Sequence, residues 1–409
     1  LSYSQTEITM AQSYIPAGTD VICTEMLSTL PSQIITEREA KVLYGKESKA
    51  LLNTCDKNLS CQFQCRIKQS FFSGLGGLLA GLALGALAVG LVIATAGAAA
   101  PLVAAAATAA ATTAYYTSGV LIAGGVASFI ISKNLANECN KSFSKEWEMV
   151  HERVKIEKYK ALLERSILPC NKGGVVSLVM DHAKAVELAK MISDANNSIL
   201  TINTCSKFTQ GFIGAAANAF KAEGLSDVCG LIISSSLAIY DHVKHGYKDD
   251  NTKNQQKYAY ETLSNRQAEL LADGELWTSE NTRDTGLSIY QTTFEGVMPV
   301  IDSNRETLKT MCLWFRDEMT KGNGLTRAFW RYFAGQKAKD ISKEIGGELF
   351  TINNVQKLGF GIVSSVISNG IEWSSNKDEN DLYRSMMQEI NSLRGEKGIN
   401  TSNILAQLL

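Results

Sequence analysis

Between Lys68 and Lys133 the chain has no Asp, Glu, Lys, Arg or His. This run, residues 69–132, is far longer than the roughly 20 residues that span a hydrocarbon core about 30 Å thick. Proline is scarce as well. Only Pro16, Pro31, Pro101, Pro169 and Pro299 occur, so long stretches are free to be helical. Charge of one sign is not in excess: the net charge is -1, which gives no global electrostatic reason to expect nucleic acid as a partner. The motifs of common chemistries are missing too. There is no GxxxxGK[ST], HExxH, GxSxG or CxxC. The glycines at 74–77 lack GxGxxG spacing and a preceding strand, and therefore do not read as a phosphate loop. His242 and His245 share a helical face with Asp241, but no further ligands accompany them, and an exposed helix end explains them. No enzyme, cofactor or metal site is expected.

What is present is ordinary globular material. At 409 residues, with 45% hydrophobic and 20% charged residues, the chain has room for two or three domains and a sizeable core. It begins at Leu1 rather than Met, which fits a removed leader and equally a truncated chain. Nine cysteines occur: Cys23, Cys55, Cys61, Cys65, Cys139, Cys170, Cys205, Cys229 and Cys312. Their spacings do not suit zinc, and the first histidine, His151, is remote from Cys61 and Cys65. Disulfides in an exported protein are the expectation, with one cysteine left over. Asn58, Asn140, Asn196 and Asn400 open glycosylation triplets that arise often by chance.

The uncharged run has internal structure. SGLGGLLAGLALGALAVGLVIA is apolar and long enough for one membrane crossing; TAGAAAP, ending at Pro101, reads as a reversal; Gly119 to Ile131 holds the greasiest part of a second crossing. Gly77, Gly81 and Gly85 form two overlapping GxxxG units, a face that lets another backbone approach closely within the hairpin or between subunits. Leu84 lies at the middle of that crossing. A flexible linker would not carry Leu78, Leu79, Leu82, Leu84, Leu87, Leu91, Val92 and Ile93 in so small a window. A soluble core hairpin would show a polar stripe, and only Ser and Thr are on offer.

The flanks read as helical. The stretch from Glu37 to Gln69 has no proline and one glycine. Phe143, Trp147, Val150 and Val154 fall three and four apart, which predicts an amphipathic helix over 143–167. Further helices are expected over 175–197, 205–247, 257–273 and 381–394. The aromatic and basic stretch 325–345 fits a membrane interface or a bundle face, and 357–373 reads as core helix or strand. No long internal repeat is evident.

These readings combine into a mainly α architecture: a helical bundle carrying a long uncharged Gly/Ala-rich hydrophobic helical hairpin, stapled by disulfides. The division is an N-terminal cysteine-containing segment (1–70), the membrane hairpin (71–132), a helical bundle (133–247) and a mainly helical C-terminal region (248–409). A two-crossing hairpin returns both flanks to one side, so Cys139 is expected to bridge to Cys55, Cys61 or Cys65. Cys205 and Cys229 form the next pair, if a turn between helices brings them together. The flanks are basic, and positive-inside insertion would leave them in the cytoplasm with reduced thiols; insertion from outside leaves them in an oxidising compartment. In outline the architecture resembles the α-helical pore-forming toxins of the cytolysin A and haemolysin BL kind. That likeness covers the hairpin and its flanking helices and implies a hairpin stored folded and released on assembly. The expected function is an exported (secreted or periplasmic), non-enzymatic, oligomeric pore- or channel-forming protein whose partners are a lipid bilayer and further copies of itself. The alternatives are a channel subunit of a bacterial envelope secretion or conjugation machine, and a membrane-anchored interaction scaffold.

Overall fold

The computed structural model describes residues 13–45, 48–96, 123–125, 127, 128, 130, 131, 143, 145–171, 173–219, 299, 301–320, 340, 341 and 360–393. Helices take just over half of these, and the rest builds a sheet in the form of half a barrel.

The strands come from both sides of the uncharged run. β1 (Asp20–Cys23), β2 (Ser32–Ile35), β3 (Leu43–Tyr44), β4 (Lys49–Ala50) and β5 (Asn58–Leu59) precede it; β6 (Lys155–Ile156), β7 (Tyr159–Lys160), β8 (Ile167–Pro169) and β9 (Val175–Val179) follow. Five of them pair antiparallel in the order β5-β2-β1-β9-β8. The central union, β1 with β9, sets Asp20 opposite Val179 and Cys23 opposite Val176. Both central strands are buried along their whole length, as a strand covered on both faces must be. β2 alternates buried and exposed, as expected of a strand with one wet face.

Two stretches of this head repeat the same local structure. Hairpin β3–β4 leads into Leu51–Asn53, a turn closed by Asp56 Oδ2 accepting from Asn53 N at 2.9 Å, and then β5. Hairpin β6–β7 leads into Ala161–Leu163, a turn closed by Ser166 Oγ accepting from Leu163 N at 3.0 Å, and then β8. Each contains Lys-Ala-Leu-Leu, at 49–52 and 160–163, one residue out of step with the repeated structure. They meet where Leu162 N donates to Leu52 O at 3.2 Å. The repeat is short and diverged, so the sequence alone does not display it, and the uncharged run sits between its halves. In the β6–β7 turn Glu157 and Lys158 both have positive φ, 52° and 77°, the left-handed pair that a two-residue hairpin turn requires.

Of the expected helices, the described residues of 37–69 up to Cys65 and those of 143–167 are therefore strands, bridges and turns, and 175–179 is strand rather than helix. Phe143 and Trp147 are buried as predicted, but in the head core, with Trp147 Nε1 donating to Asp56 O at 3.0 Å. Their spacing of four is incidental, since Val154 is substantially exposed.

Among the described residues four long helices accompany the sheet: α1 (Arg66–Ala96), α2 (His182–Ala219), α3 (Arg305–Thr320) and α4 (Phe360–Leu393). α2 starts at a good N-cap, with Asp181 Oδ1 accepting from Ala183 N at 2.9 Å. Its first half packs on the sheet through Ala185, Leu188, Ala189, Ile192 and Ile199. Ser193 donates to Leu27 O at 2.7 Å, and Asn196 donates to Thr24 O and Met26 O at 2.9 and 2.8 Å. Asn196 is thus fully buried and is no glycosylation acceptor in the folded chain. The end of α4 joins the same core through Tyr383, Met386, Met387 and Ile390.

Candidate membrane element and its junction with the head

α1 leaves the head at Arg66 and contains no charge beyond Lys68. The window Gln69–Ala86 is apolar enough and long enough to cross a membrane, and 72% of it is buried inside the fold. It is the one such helix among the described residues. A helix this apolar exposes little because α2 covers it.

The cover is built on glycine. A Cβ on Gly77 would lie 2.3 Å from Thr204 O, one on Gly81 would lie 1.9 Å from Phe208 O, and one on Gly85 would lie 2.5 Å from Phe212 O. Contacts with 204, 208 and 212 in that order mean that α1 and α2 run parallel, four residues of one matched to four of the other. The fit is reciprocal, since a Cβ on Gly211 would meet Leu78 O at 2.3 Å. Small residues at i and i+4 allow backbone to approach backbone, the packing that also holds helices together in lipid. Leu78, Leu82, Ala86 and Ala215 close over the seam, and Leu84 is fully buried. The seam includes a polar link: the Thr204 hydroxyl donates to Leu200 O at 2.8 Å, so the buried Ser73 hydroxyl donates to Thr204, at 2.5 Å. On another side of α1, a Cβ on Gly125 would lie 3.3 Å from Gly76 O, and one on Gly124 would lie 3.2 Å from Leu79 Cδ1.

The base of α1 is fixed by charge. Arg66 Nε and Nη2 both donate to Glu25 Oε2, at 2.9 and 2.6 Å, and both side chains are about 4% exposed. Arg66 N donates to Glu25 O at 2.8 Å. Tyr383 of α4 is buried beside this pair and is hydrogen-bonded to the Thr24 side chain. Burial pushes its phenol pKa well up and the Glu25 carboxylate adds to the rise, against the opposing pull of Arg66 and Thr24. Head, uncharged helix and C-terminal helix are thus tied at a single polar knot. A second cluster joins the two halves of the head. The Glu157 carboxylate accepts from Lys41 N at 2.6 Å, from Val42 N at 3.3 Å and from Arg38, which also reaches Asp56 at 3.2 Å. The Lys41 amide, more than any other group, holds the Glu157 carboxyl below the usual carboxylate range.

Among the described cysteines no disulfide is formed. Cys55 and Cys61 carry exposed thiols, while Cys65 is buried at the foot of α1, where Met26 bridges it in the sheet. Cys139, the expected partner of these three, lies outside the described residues, as do Cys229, Pro101 and the Asp241–His245 stretch. Cys205 faces α3, where it is hydrogen-bonded to Cys312, a neighbour that sequence spacing does not reveal. Among the described residues no three His, Cys, Asp or Glu side chains gather as a metal site would require. The Glu25–Arg66 knot is also invisible in sequence, because its partners stand 41 residues apart and the Met26–Cys65 bridge between them forms only in the fold.

The arrangement defines a class in physical terms: a β head from which a parallel, glycine-packed helix pair emerges, one member uncharged beyond Lys68. No protein-family model, no curated protein and no solved structure matches the chain.

Proposed function

We propose that the chain is an exported, non-enzymatic protein that embeds its uncharged hairpin in a membrane and assembles there into an oligomeric pore or channel. The observation that carries this reading is α1 itself. From Gln69 to its end the helix has no charge, and at 1.5 Å per residue it reaches about 42 Å, more than the thickness of a hydrocarbon core. Its partner surface suits both environments. Packing at Gly77, Gly81 and Gly85 depends on close backbone approach rather than on water's rejection of large side chains, so once α1 has left α2 the same glycine face serves contact with another apolar helix in lipid. In water α2 shields the helix; at a bilayer, lipid takes over that role. The channel subunit of an envelope secretion or conjugation machine uses the same physics and differs in needing partner proteins.

The test is leakage of a trapped dye from anionic and zwitterionic liposomes by the purified full chain, with flotation to measure binding. A Ser73→Cys/Thr204→Cys variant, crosslinked across the buried hydroxyl pair, should float and leak poorly until reduced. Flotation without leakage by the wild type points to the machine subunit or anchor. Failure to float at all refutes the membrane reading. That last outcome favours a second reading, for which the 72% burial of Gln69–Ala86 speaks: α1 as the core helix of an interaction scaffold.

A further inference from the structure

Away from the uncharged run, a second arrangement of reactive groups stands between α2, α3 and α4. A cavity of about 300 Å³ opens there, with Thr201, Ile202 and Cys205 on the α2 side, Arg305 and Glu306 on the α3 side and Asp378 on α4. Arg305 and Asp378 pair at 2.7 Å at its rim, both well exposed, so the cavity communicates with solvent. Cys205, 9% exposed, forms part of its wall. Behind it lies Cys312, 1% exposed and hydrogen-bonded to Cys205. Both are thiols in this structure.

We propose that Cys205 and Cys312 form a redox site that exchanges with a small external disulfide of the glutathione class and ends as an intramolecular disulfide fixing α3 to α2. The chemistry balances in two steps. The Cys205 sulfur, on the cavity wall, attacks the external S–S bond as its proton is lost; a mixed disulfide forms and one small thiolate leaves and takes up that proton. Cys312 then gives up its proton and attacks the Cys205 sulfur, expelling the second small thiolate, which is protonated in turn. Two protein thiols lose two electrons, and one external disulfide becomes two thiols. The first attack falls to Cys205 because it lines the cavity, whereas Cys312 lies behind it and is 1% exposed. The hydrogen bond already places the resolving sulfur beside its target. The site does not depend on the membrane reading: it needs only the α2–α3 contact and an oxidant.

The full chain, reduced and freed of reductant, is incubated with glutathione disulfide, quenched in acid, alkylated in denaturant and digested with trypsin without reduction. Mass spectrometry should find the fragment 191–207, which carries Cys205, joined to the fragment 310–316, which carries Cys312. The joined species should be two hydrogens lighter than the sum of its parts and should vanish with dithiothreitol. Cys205→Ser should leave Cys312 alkylated, and Cys312→Ser should leave Cys205 as the mixed disulfide. Three wild-type results overturn the proposal: glutathione retained on Cys205 with Cys312 alkylated, both alkylated although Cys55 and Cys61 have reacted, or Cys205 joined to any other cysteine. Because the wild-type map decides, a variant that fails to fold does not obscure the answer.

Discussion

Gly81→Ala sets two effects of opposite sign against each other. In an open helix the change stabilises by about 1 kcal/mol, because alanine has the better helix propensity. In α1 the new methyl would stand 1.9 Å from Phe208 O and 2.8 Å from both Phe208 C and Phe212 N, and all three are backbone atoms. No rotamer change relieves such a clash; the helices must part by more than 1 Å. Gly77, Gly85 and Gly211 lie along the same seam, so their contacts loosen together, and a gap of about 0.5–1 Å forfeits a quarter to a half of each dispersion contact. Overpacking of this kind costs about 1–3 kcal/mol, and rigid backbone on the far side places it at the upper end, leaving about 2 kcal/mol net destabilisation. Gly124→Ala is the internal comparison. There the methyl meets only Leu79 Cδ1 at 3.2 Å, the end of a flexible side chain, so the variant should be neutral or gain up to about 1 kcal/mol. Urea unfolding of the full chain at 222 nm, with amide exchange over 69–86 as a local reporter, measures both. A Gly81→Ala protein as stable as wild type, with α1 equally protected, refutes the backbone-to-backbone seam.

Other outcomes follow from the junctions. Arg66→Met strands the buried Glu25 carboxylate and should cost about 3–5 kcal/mol in urea unfolding; a loss under about 1 kcal/mol would mean that the knot is solvated. Asp181→Ala removes the α2 cap and should cost about 1 kcal/mol, read as a lowered denaturation midpoint. Lys158→Gly relieves a left-handed lysine and should raise stability by about 1 kcal/mol, whereas an unchanged midpoint would show no strain there. Glu157 has a folded pKa below its unfolded one, so its contribution is present above the unfolded value near 4.5 and is lost as pH falls through the lower folded value. Glu157→Gln should flatten the stability–pH curve in that window, and an unchanged curve would exclude the carboxylate as its source.

The legible part of the fold was the part with its own periodicity and composition. The uncharged run, the GxxxG face and the C-terminal helix over 381–394 could be read because length, spacing and missing charge are local properties. The close approach made by Gly77, Gly81 and Gly85 was readable as well, but its partner was not. Phe208 and Phe212 belong to a helix more than a hundred residues away. The head was misread for the same reason. β1 and β9 are four and five residues long and acquire their state only by pairing with each other, so Glu37–Gln69 and 143–167 appeared helical for want of breakers. Cysteine spacing failed likewise: Cys205 meets Cys312 through helix packing that no turn between neighbouring segments encodes.

The union of β1 with β9 has a consequence for the order of events during synthesis. The central strand of the sheet has emerged by Cys23, yet its neighbour is complete only at Val179. Between them the ribosome delivers the whole uncharged run, and its cover, the Thr204–Ala215 face of α2, comes later still. At about 5–20 residues per second, the most apolar part of the chain therefore waits for several seconds before β9 completes the sheet and α2 supplies its lid. Strand order thus gives a chaperone or a targeting factor its opening to bind this run before α2 can cover it.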